Sequence, residues 1–373
     1  MSTNGGYEVS STHPMRLDAR TGEAIDALAS QALEPNVFYE SWMLGPALEH
    51  VRVPALFLVA VRHPTHGLTG VFPLELAHYH GLPFRCLRSW LHEYAFLGTP
   101  LIAKAHAQAT IDALLDWAAS RRSPAPILEL RSRVDGPFGA LLADSLARRP
   151  AFASHRFAMQ RAMLDLRADF GTGMSHKHEK DLRRQERRLG DFGTLAYRAL
   201  GREEAPHEWI ERFLALEAGG WKGEEGTALA SDPESRAYFY EIAAKAHRLG
   251  RLEMLELTLD GAPIAAKCNF VAGEGSFAFK IAHDERYAKY SPGVLLEIFN
   301  MKHMAEQRPE VAWMDSCARA QHFMINRLWT RQLTIGVWSI CGRNPFARAV
   351  VRHRARFIGA RSKARSFFAG SKT

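Results

Sequence analysis

From Ser276 to Gln307 the sequence reads SFAFKIAHDERYAKYSPGVLLEIFNMKHMAEQ: an apolar strand-like segment, a polar loop, then Ser291-Pro292-Gly293 and at once an apolar helix. A turn of this kind can aim backbone N–H groups and the positive end of a helix dipole at one point, which suits a pyrophosphate. Glycine at 293 permits close backbone approach to such a group. The same residues also make a tight turn that binds nothing. Other catalytic signatures are missing: there is no P-loop, no Gly-x-Gly-x-x-Gly after a strand, no Gly-x-Ser-x-Gly and no His-Glu-x-x-His. His78 and His80, and His176 and His178, stand at i and i+2 and belong to no recognised metal-ligand pattern. They read as surface histidines, and no metal site is expected. Cys86, Cys268, Cys317 and Cys341 are far apart and form no Cys-x-x-Cys pair, which argues against a disulfide framework and fits a reducing cytoplasm.

Charge is informative once it is located. The chain of 373 residues carries a formal +8, yet the seven Arg and two Lys from Arg343 onward supply +9, so residues 1–342 sum to −1. The protein has a basic tail, not a basic surface, and DNA is not an expected partner. Arg348, Arg352 and Arg356 are spaced i, i+4, i+8 and would form one stripe on a helix. Arginine both forks onto phosphate and stacks on guanine, so the stripe fits a phosphodiester such as cyclic di-GMP. Together with Phe367-Phe368 it also fits peripheral contact with an anionic inner-membrane surface, or simply a solvated terminus.

Those residues need a scaffold, and the length calls for two domains. Residues 21–50 read as helix interrupted at Pro35-Asn36. Residues 55–61 and 68–76 read as paired strands, 107–120 as an amphipathic helix and 127–130 as a strand. After Gly171-Thr172-Gly173, Ser175 caps a helix over 176–189, and helices over 209–216 and 233–249 follow. Strands are expected over 252–259, 263–271 and 276–282, a helix over 294–307, and a strand over 311–315. The expected organisation is an N-terminal extension (1–30), a first α/β domain (31–166), a second (167–342) and the Arg-rich tail (343–373). The first ten residues carry no signal sequence, and no apolar run reaches about 18 residues, so a spanning helix is not expected.

The stretch Tyr287 to Leu296 resembles the acyl-CoA loop of the CelD/BcsL-type GNAT acetyltransferases of cellulose and exopolysaccharide biosynthesis. EAGGWKGEEGTAL (Glu217 to Leu229) resembles that family's Trp-Lys-Gly motif. His283-Asp284-Glu285-Arg286-Tyr287 is similar to its Tyr-Asp-x-x-Tyr motif, with His for the first Tyr. The basic helix Ser175 to Leu189 is similar to the one that opens the second domain of FemAB-like transferases, and Glu34-Pro35-Asn36-Val37-Phe38 resembles the start of their first domain. The resemblance spans roughly residues 30 to 340. It implies a mixed α/β fold of two tandem GNAT-like domains around a shared cleft. Acetyl-CoA or another acyl-CoA would be held by Tyr290, Ser291, Pro292, Gly293, Val294 and Leu295.

Such chemistry needs a base for the amine proton and a donor that polarises the thioester carbonyl. Glu217, Asp284 and Asp315 are the acidic candidates, Asp284 being equally suited to ordering its loop with Arg286; His283 is the alternative. Trp221 can stack on a sugar ring and Lys222 can hold a phosphate or carboxylate, while Glu93 and Tyr94 would extend the acceptor side. The resulting expectation is N-acylation, with O-acylation also open, of an amino sugar in an envelope polysaccharide or a lipid-linked precursor. Its rivals are a FemAB-like aminoacyl-tRNA-dependent transferase acting on a cell-wall precursor and a non-catalytic ligand-binding subunit of a polysaccharide synthase.

Overall fold

The structure, a computed structural model, describes residues 6–51, 55–149, 152–168, 174–220, 223, 225–342 and 344–354. Its first half comprises β1 (Glu8–Thr12), α1 (Ala19–Ala29), α2 (Ser41–His50), β2 (Leu56–His63), β3 (Gly67–His78), β4 (Arg85–Ser89), β5 (Leu101–Ile102), α3 (Ala107–Ala119), β6 (Ile127–Arg133), α4 (Pro137–Ala147) and β7 (Phe152–Asp165). The second comprises α5 (His176–Gly190), β8 (Leu195–Ala199), α6 (His207–Ala218), α7 (Pro233–Arg248), β9 (Leu252–Leu259), β10 (Ala262–Ala272), β11 (Gly275–His283), α8 (Pro292–Gln307), β12 (Trp313–Asp315), α9 (Ile325–Leu328), β13 (Arg331–Cys341) and α10 (Pro345–Arg352).

Strand side chains alternate between faces, and the apolar runs supply both faces at once. In β2, Leu56, Leu58 and Ala60 join a core with α1, α2, α6 and α7, whereas Phe57, Val59 and Val61 pack against α3 and α4. In β9, Leu252 and Met254 join the first of these cores, while Leu255, Leu257 and Leu259 meet Leu189 of α5 and Leu295 and Leu296 of α8. One helical layer, α1, α2, α6 and α7, therefore covers one face of both halves. The other face is covered by α3 and α4 in one half and α5 and α8 in the other. Caps and prolines set the helix starts: Asp232 accepts from Ser235 N before Pro233 opens α7, and Asn344 accepts from Ala347 N before Pro345 opens α10.

The strands form one sheet in the order β1-β2-β3-β4-β6-β13-β7-β12-β11-β10-β9-β8, with β5 alongside β3. From either edge the order is the same: four antiparallel strands, a parallel step (β4 to β6, β11 to β12), then a strand from the other half. β7 and β13 are thus exchanged and pair antiparallel from Arg331↔Met163 to Cys341↔Phe152. The two tandem units that the resemblance implies are present, in a form that fuses the halves into one sheet. β1 and α1 lie within the span read as an N-terminal extension, and both are parts of the first half: β1 pairs with β2, and α1 buries Ile25 and Leu28.

Candidate active site

Each half has one short parallel step, beyond which its two strands part. β4 pairs with β6 only over Cys86–Arg88, and β11 with β12 only over Gly275–Phe277. The first gap is filled by the chain itself. Arg131 N donates to Ser89 Oγ (3.0 Å) and Arg133 N to Thr99 Oγ1 (3.1 Å). Gly98 lies so close that a Cβ there would stand 2.4 Å from the Arg131 carbonyl oxygen, so the plug requires glycine at this point. Asn36 Nδ2 holds the plug through the carbonyls of Leu97 (3.0 Å) and Thr99 (2.7 Å). In the second half, among the described residues, β11 runs on past Phe277 with β10 on one side and no strand on the side that β12 leaves.

β11 carries a bulge there. Cys268 faces Lys280 and Asn269 faces Ala278, which leaves Phe279 as the extra residue. The bulge turns Phe279 and Lys280 to the same face. Phe279 packs against Phe239 of α7, and Lys280 Nζ lies 3.0 Å from Glu217 Oε1 at the end of α6 and 5.7 Å from the centre of the Tyr94 ring. Glu217 is buried and also accepts from Leu229 N (2.9 Å). Asp315, at the end of β12, is fully buried, is paired with Arg161 of β7 and accepts from Cys317 N (2.9 Å). Arg161 also donates to the Phe96 carbonyl (2.7 Å). Burial alone would lower the Arg161 pKa, but Asp315 beside it raises it, so the guanidinium stays charged.

Beyond β11, Asp284 accepts from Arg286 N (3.0 Å) and receives the Arg286 guanidinium as a fork. Hydrogen bonding from Arg286 holds its carboxyl below the usual range, against some burial. A 3-10 turn over Glu285–Tyr290 follows, docked through Tyr287 and Tyr290 onto Leu189 and Phe192. Ser291 is left-handed (φ 56°) and starts α8. Its N–H donates to Ala288 O, while Val294 N (3.0 Å) and Leu295 N (3.1 Å) both donate to Ser291 O. Pro292 has no N–H. Of Ser291 to Leu295, the Gly293 amide is what remains for a ligand, fewer donors than the turn promised in sequence. His283, at the end of β11, lies 3.5 Å from Glu285 Oε1, and its Nδ1 faces Gly293.

The first half reaches this region through the loop after β4. Tyr94 is buried, its hydroxyl donates to Ser235 Oγ (2.7 Å), its ring stacks on Tyr238 at 5.3 Å, and burial pushes its pKa up to about 12. A cavity of about 550 Å³ opens between the halves, lined by Arg88, Trp90, His92 and exposed Glu93 from one side and Asp232 and Ser235 from the other. His92 Nδ1 accepts from Tyr94 N (3.3 Å), and burial pushes its pKa down to about 3. Its ring is therefore neutral, with the proton on Nε2.

Trp221, Lys222 and Arg356 lie outside the described residues. Gly220, the residue before Trp221, lies against the His283 carbonyl. Arg348 and Arg352 share one face of α10, well separated in sequence and fold from β11; Arg348 Nε donates to Gly342 O (3.1 Å).

Sequence reasoning overlooked Lys280, Arg161 and His92, and also a buried network between β10 and α8. Lys267 Nζ meets Glu297 (2.8 Å), Asn300 Nδ2 donates to Glu297 (2.8 Å), and Asn269 Nδ2 donates to Asn300 (2.8 Å). The signal was available. Lys267 and Asn269 sit two apart in an apolar strand, and Glu297 and Asn300 three apart in an apolar helix, so each pair shares a face.

The family model of the acetyltransferase (GNAT) domain matches residues 176–323, from α5 to just before α9. No curated protein matches the chain in sequence. Among solved structures, FemX superposes with a TM-score of 0.56 at 12% identity, covering 92% of this chain and 100% of that one. The L-PGS structure from Bacillus licheniformis gives 0.54 at 12% identity, over 90% of this chain and 96% of that one. The C-terminal domain of a putative lysylphosphatidylglycerol synthetase from Agrobacterium fabrum gives 0.52 at 12% identity, over 91% and 96%. The fold is accordingly a mixed α/β arrangement of two GNAT-like units with exchanged strands, and its second unit carries the acyltransferase domain of the GNAT type.

Proposed function

We propose that the chain transfers an acyl group from an acyl-CoA to the amine of an amino sugar in a bacterial envelope polysaccharide or its precursor. The observation that carries this reading is the continuity of one segment: β11 parts from β12, bulges at Phe279, and runs through the 3-10 turn into the start of α8. The thioester would lie along β11 at the bulge and the phosphates at the Gly293 amide, with exposed Arg286 and Lys289 beside them. The acceptor would enter through the cavity between the halves, where Trp90 offers an apolar ring face and Glu93 and Asp232 offer charge to an ammonium. The neutral amine attacks the thioester carbonyl, a C–N bond forms, the C–S bond breaks, and CoA leaves as the thiol.

His283 is assigned as the base, acting through a water relay because it stands four residues beyond the bulge and faces Gly293. Glu217, Asp284 and Asp315 are each held by a cation, respectively Lys280, Arg286 and Arg161. The test is thiol release from acetyl-CoA with amino-sugar oligosaccharides. Release that needs both substrates and falls at least 100-fold in His283→Ala is expected. No CoA binding by calorimetry and no release with any acceptor would sink the assignment.

A second reading, aminoacyl transfer from a charged tRNA, is favoured by α5, whose Lys177, Lys180, Arg183, Arg184, Arg187 and Arg188 are all exposed. Product formed from aminoacyl-tRNA but not from acyl-CoA would select it. Arg348 and Arg352 are assigned an anion contact, with cyclic di-GMP or anionic lipid as the candidate ligands. Among the described residues no helix is long and apolar enough to cross a membrane.

A further inference from the structure

At the far end of the first half, three imidazoles converge from separate parts of the chain. His63 ends β2, His66 sits in the β2–β3 turn, and His106 precedes α3. Their ring centres are 4.8 Å (His63–His66), 4.6 Å (His66–His106) and 5.7 Å (His63–His106) apart. A tetrahedral ion with metal–nitrogen bonds of about 2.0–2.1 Å holds its imidazole ring centres about 5 Å apart. The triangle already has that size.

The second ring nitrogens of His106 and His63 each have a hydroxyl within reach. Tyr7 Oη lies 2.7 Å from His106 Nδ1, and Thr65 Oγ1 lies 3.0 Å from His63 Nδ1. With the Tyr7 hydroxyl accepting from Nδ1–H, the Nε2 lone pair of His106 is left for an ion. His63 Nδ1 accepts from Thr65 N (3.4 Å), so His63 ligates through Nε2 only on moving its proton to Nδ1, where Thr65 Oγ1 can accept it. As placed, the three ligating nitrogens do not all lie within 4.8 Å of one another. His66 is exposed on the turn, so rotation of its side chain can bring its ring edge round to face the other two.

We propose that His63, His66 and His106 bind a borderline divalent transition ion such as Zn²⁺, Co²⁺ or Ni²⁺, with Tyr7 and Thr65 orienting two of the rings. An all-imidazole donor set selects this class over Mg²⁺ or Ca²⁺, which take oxygen ligands. The ion would tie the β2–β3 turn to the segment before α3, and through Tyr7 to the lead-in of β1. It is independent of the acyl-transfer reading. The group Glu49, His50 and Glu241 is closer-set, but both His50 nitrogens already meet carboxylates and Lys245 is paired with Glu241.

The test is titration of the full chain, carrying no polyhistidine tag, with ZnCl₂ by calorimetry and with CoCl₂ by visible absorption. One ion per chain, a tetrahedral Co²⁺ spectrum and a melting temperature raised by Zn²⁺ are expected. His66→Ala, on an exposed turn, should abolish all three signals while the fold is retained. Tyr7→Phe should weaken Zn²⁺ binding about 10-fold or more, and Glu241→Gln should leave it unchanged. Absence of binding by the wild-type chain overturns the proposal, as does Zn²⁺ binding that survives His66→Ala and His106→Ala or is lost in Glu241→Gln.

Discussion

Replacing Asp315 by Asn separates a structural carboxylate from a catalytic one. Asn keeps the acceptor for Cys317 N but leaves the Arg161 guanidinium, 3% exposed, without its counter-charge. Breaking a buried pair by neutralising one partner costs about 3–5 kcal/mol, because the other charge stays buried. Unfolding entropy of roughly 2.1 cal/mol/K per residue amounts to about 0.8 kcal/mol per degree for this chain, so the melting temperature should fall by roughly 4–6 °C. Removing both charges in Asp315→Asn with Arg161→Met should recover most of the loss. The double variant would still forgo the Arg161 bond to the Phe96 carbonyl, worth about 1 kcal/mol. The assays are denaturant melts of wild type, both single variants and the double variant, with thiol release measured on the folded proteins. A coupling of at least about 2 kcal/mol is expected. If Asp315→Asn is as stable as wild type within about 1 kcal/mol while turnover drops 100-fold, Asp315 is a catalytic group and the structural argument fails.

The other expectations follow from local geometry. Gly293→Ala should bind CoA as wild type does, since its Cβ meets His283 Nδ1 and Ile281 Cδ1 at 3.8 and 3.9 Å; Gly293→Glu, which brings a carboxylate to the expected phosphate site, should weaken binding at least 10-fold by calorimetry. Asp284→Asn should leave turnover within a few-fold of wild type, because Arg286 already occupies that carboxylate; a loss of 100-fold or more would return the role of base to it. His50 bridges Glu234 (2.9 Å) and Glu241 (3.1 Å) across the two halves, and although burial lowers its pKa these hydrogen bonds raise it overall. Its contribution, on the order of 1 kcal/mol, should be full below the ordinary histidine value of 6.5 and vanish as pH climbs through the raised one; a gap between wild type and His50→Phe in denaturant melts that widens with pH would refute this. Arg348→Ala with Arg352→Ala should weaken cyclic di-GMP or anionic-vesicle binding and leave CoA binding intact; unchanged binding of both would reduce α10 to a solvated basic helix.

What the sequence disclosed depended on how local each feature was. The segments β9, β10, β11 and α8 were legible because apolar periodicity and the Asp260-Gly261 and Gly273-Glu274-Gly275 turns lie within them. The exchange of β7 and β13 was not, because Met163 and Arg331 pair across more than 160 residues with no turn to announce it. Edge strand β8 alternates half-buried and exposed residues without a strong apolar signal, and it went unread for that reason. The turn at Ser291 was seen, but the loss of its amides to the Ser291 carbonyl is a matter of backbone geometry. The Lys280–Glu217 pair was hidden by the bulge. Strict alternation would put Lys280 on the face opposite Phe279, and one extra residue brings it round to α6.

Why two similar halves would hold one site follows from how each parallel step is finished. In both, two strands join for three residues and then part, so each half could in principle offer an open gap. The first half closes its own gap with Ser89, Gly98 and Thr99, and Glu34 and Asn36 in the Glu-Pro-Asn-Val-Phe motif secure the closure. Glu34 accepts from Phe138 N (2.7 Å) at the start of α4, and Asn36 anchors the plug. Having closed it, the same loop crosses to the second half. Tyr94 there meets Ser235 and Lys280, and Phe96 offers its carbonyl to Arg161. Arg161 in turn holds Asp315 at the point where β12 leaves β11. The loop that closes the first gap therefore braces the second, and duplication of the fold yields a division of labour between its halves.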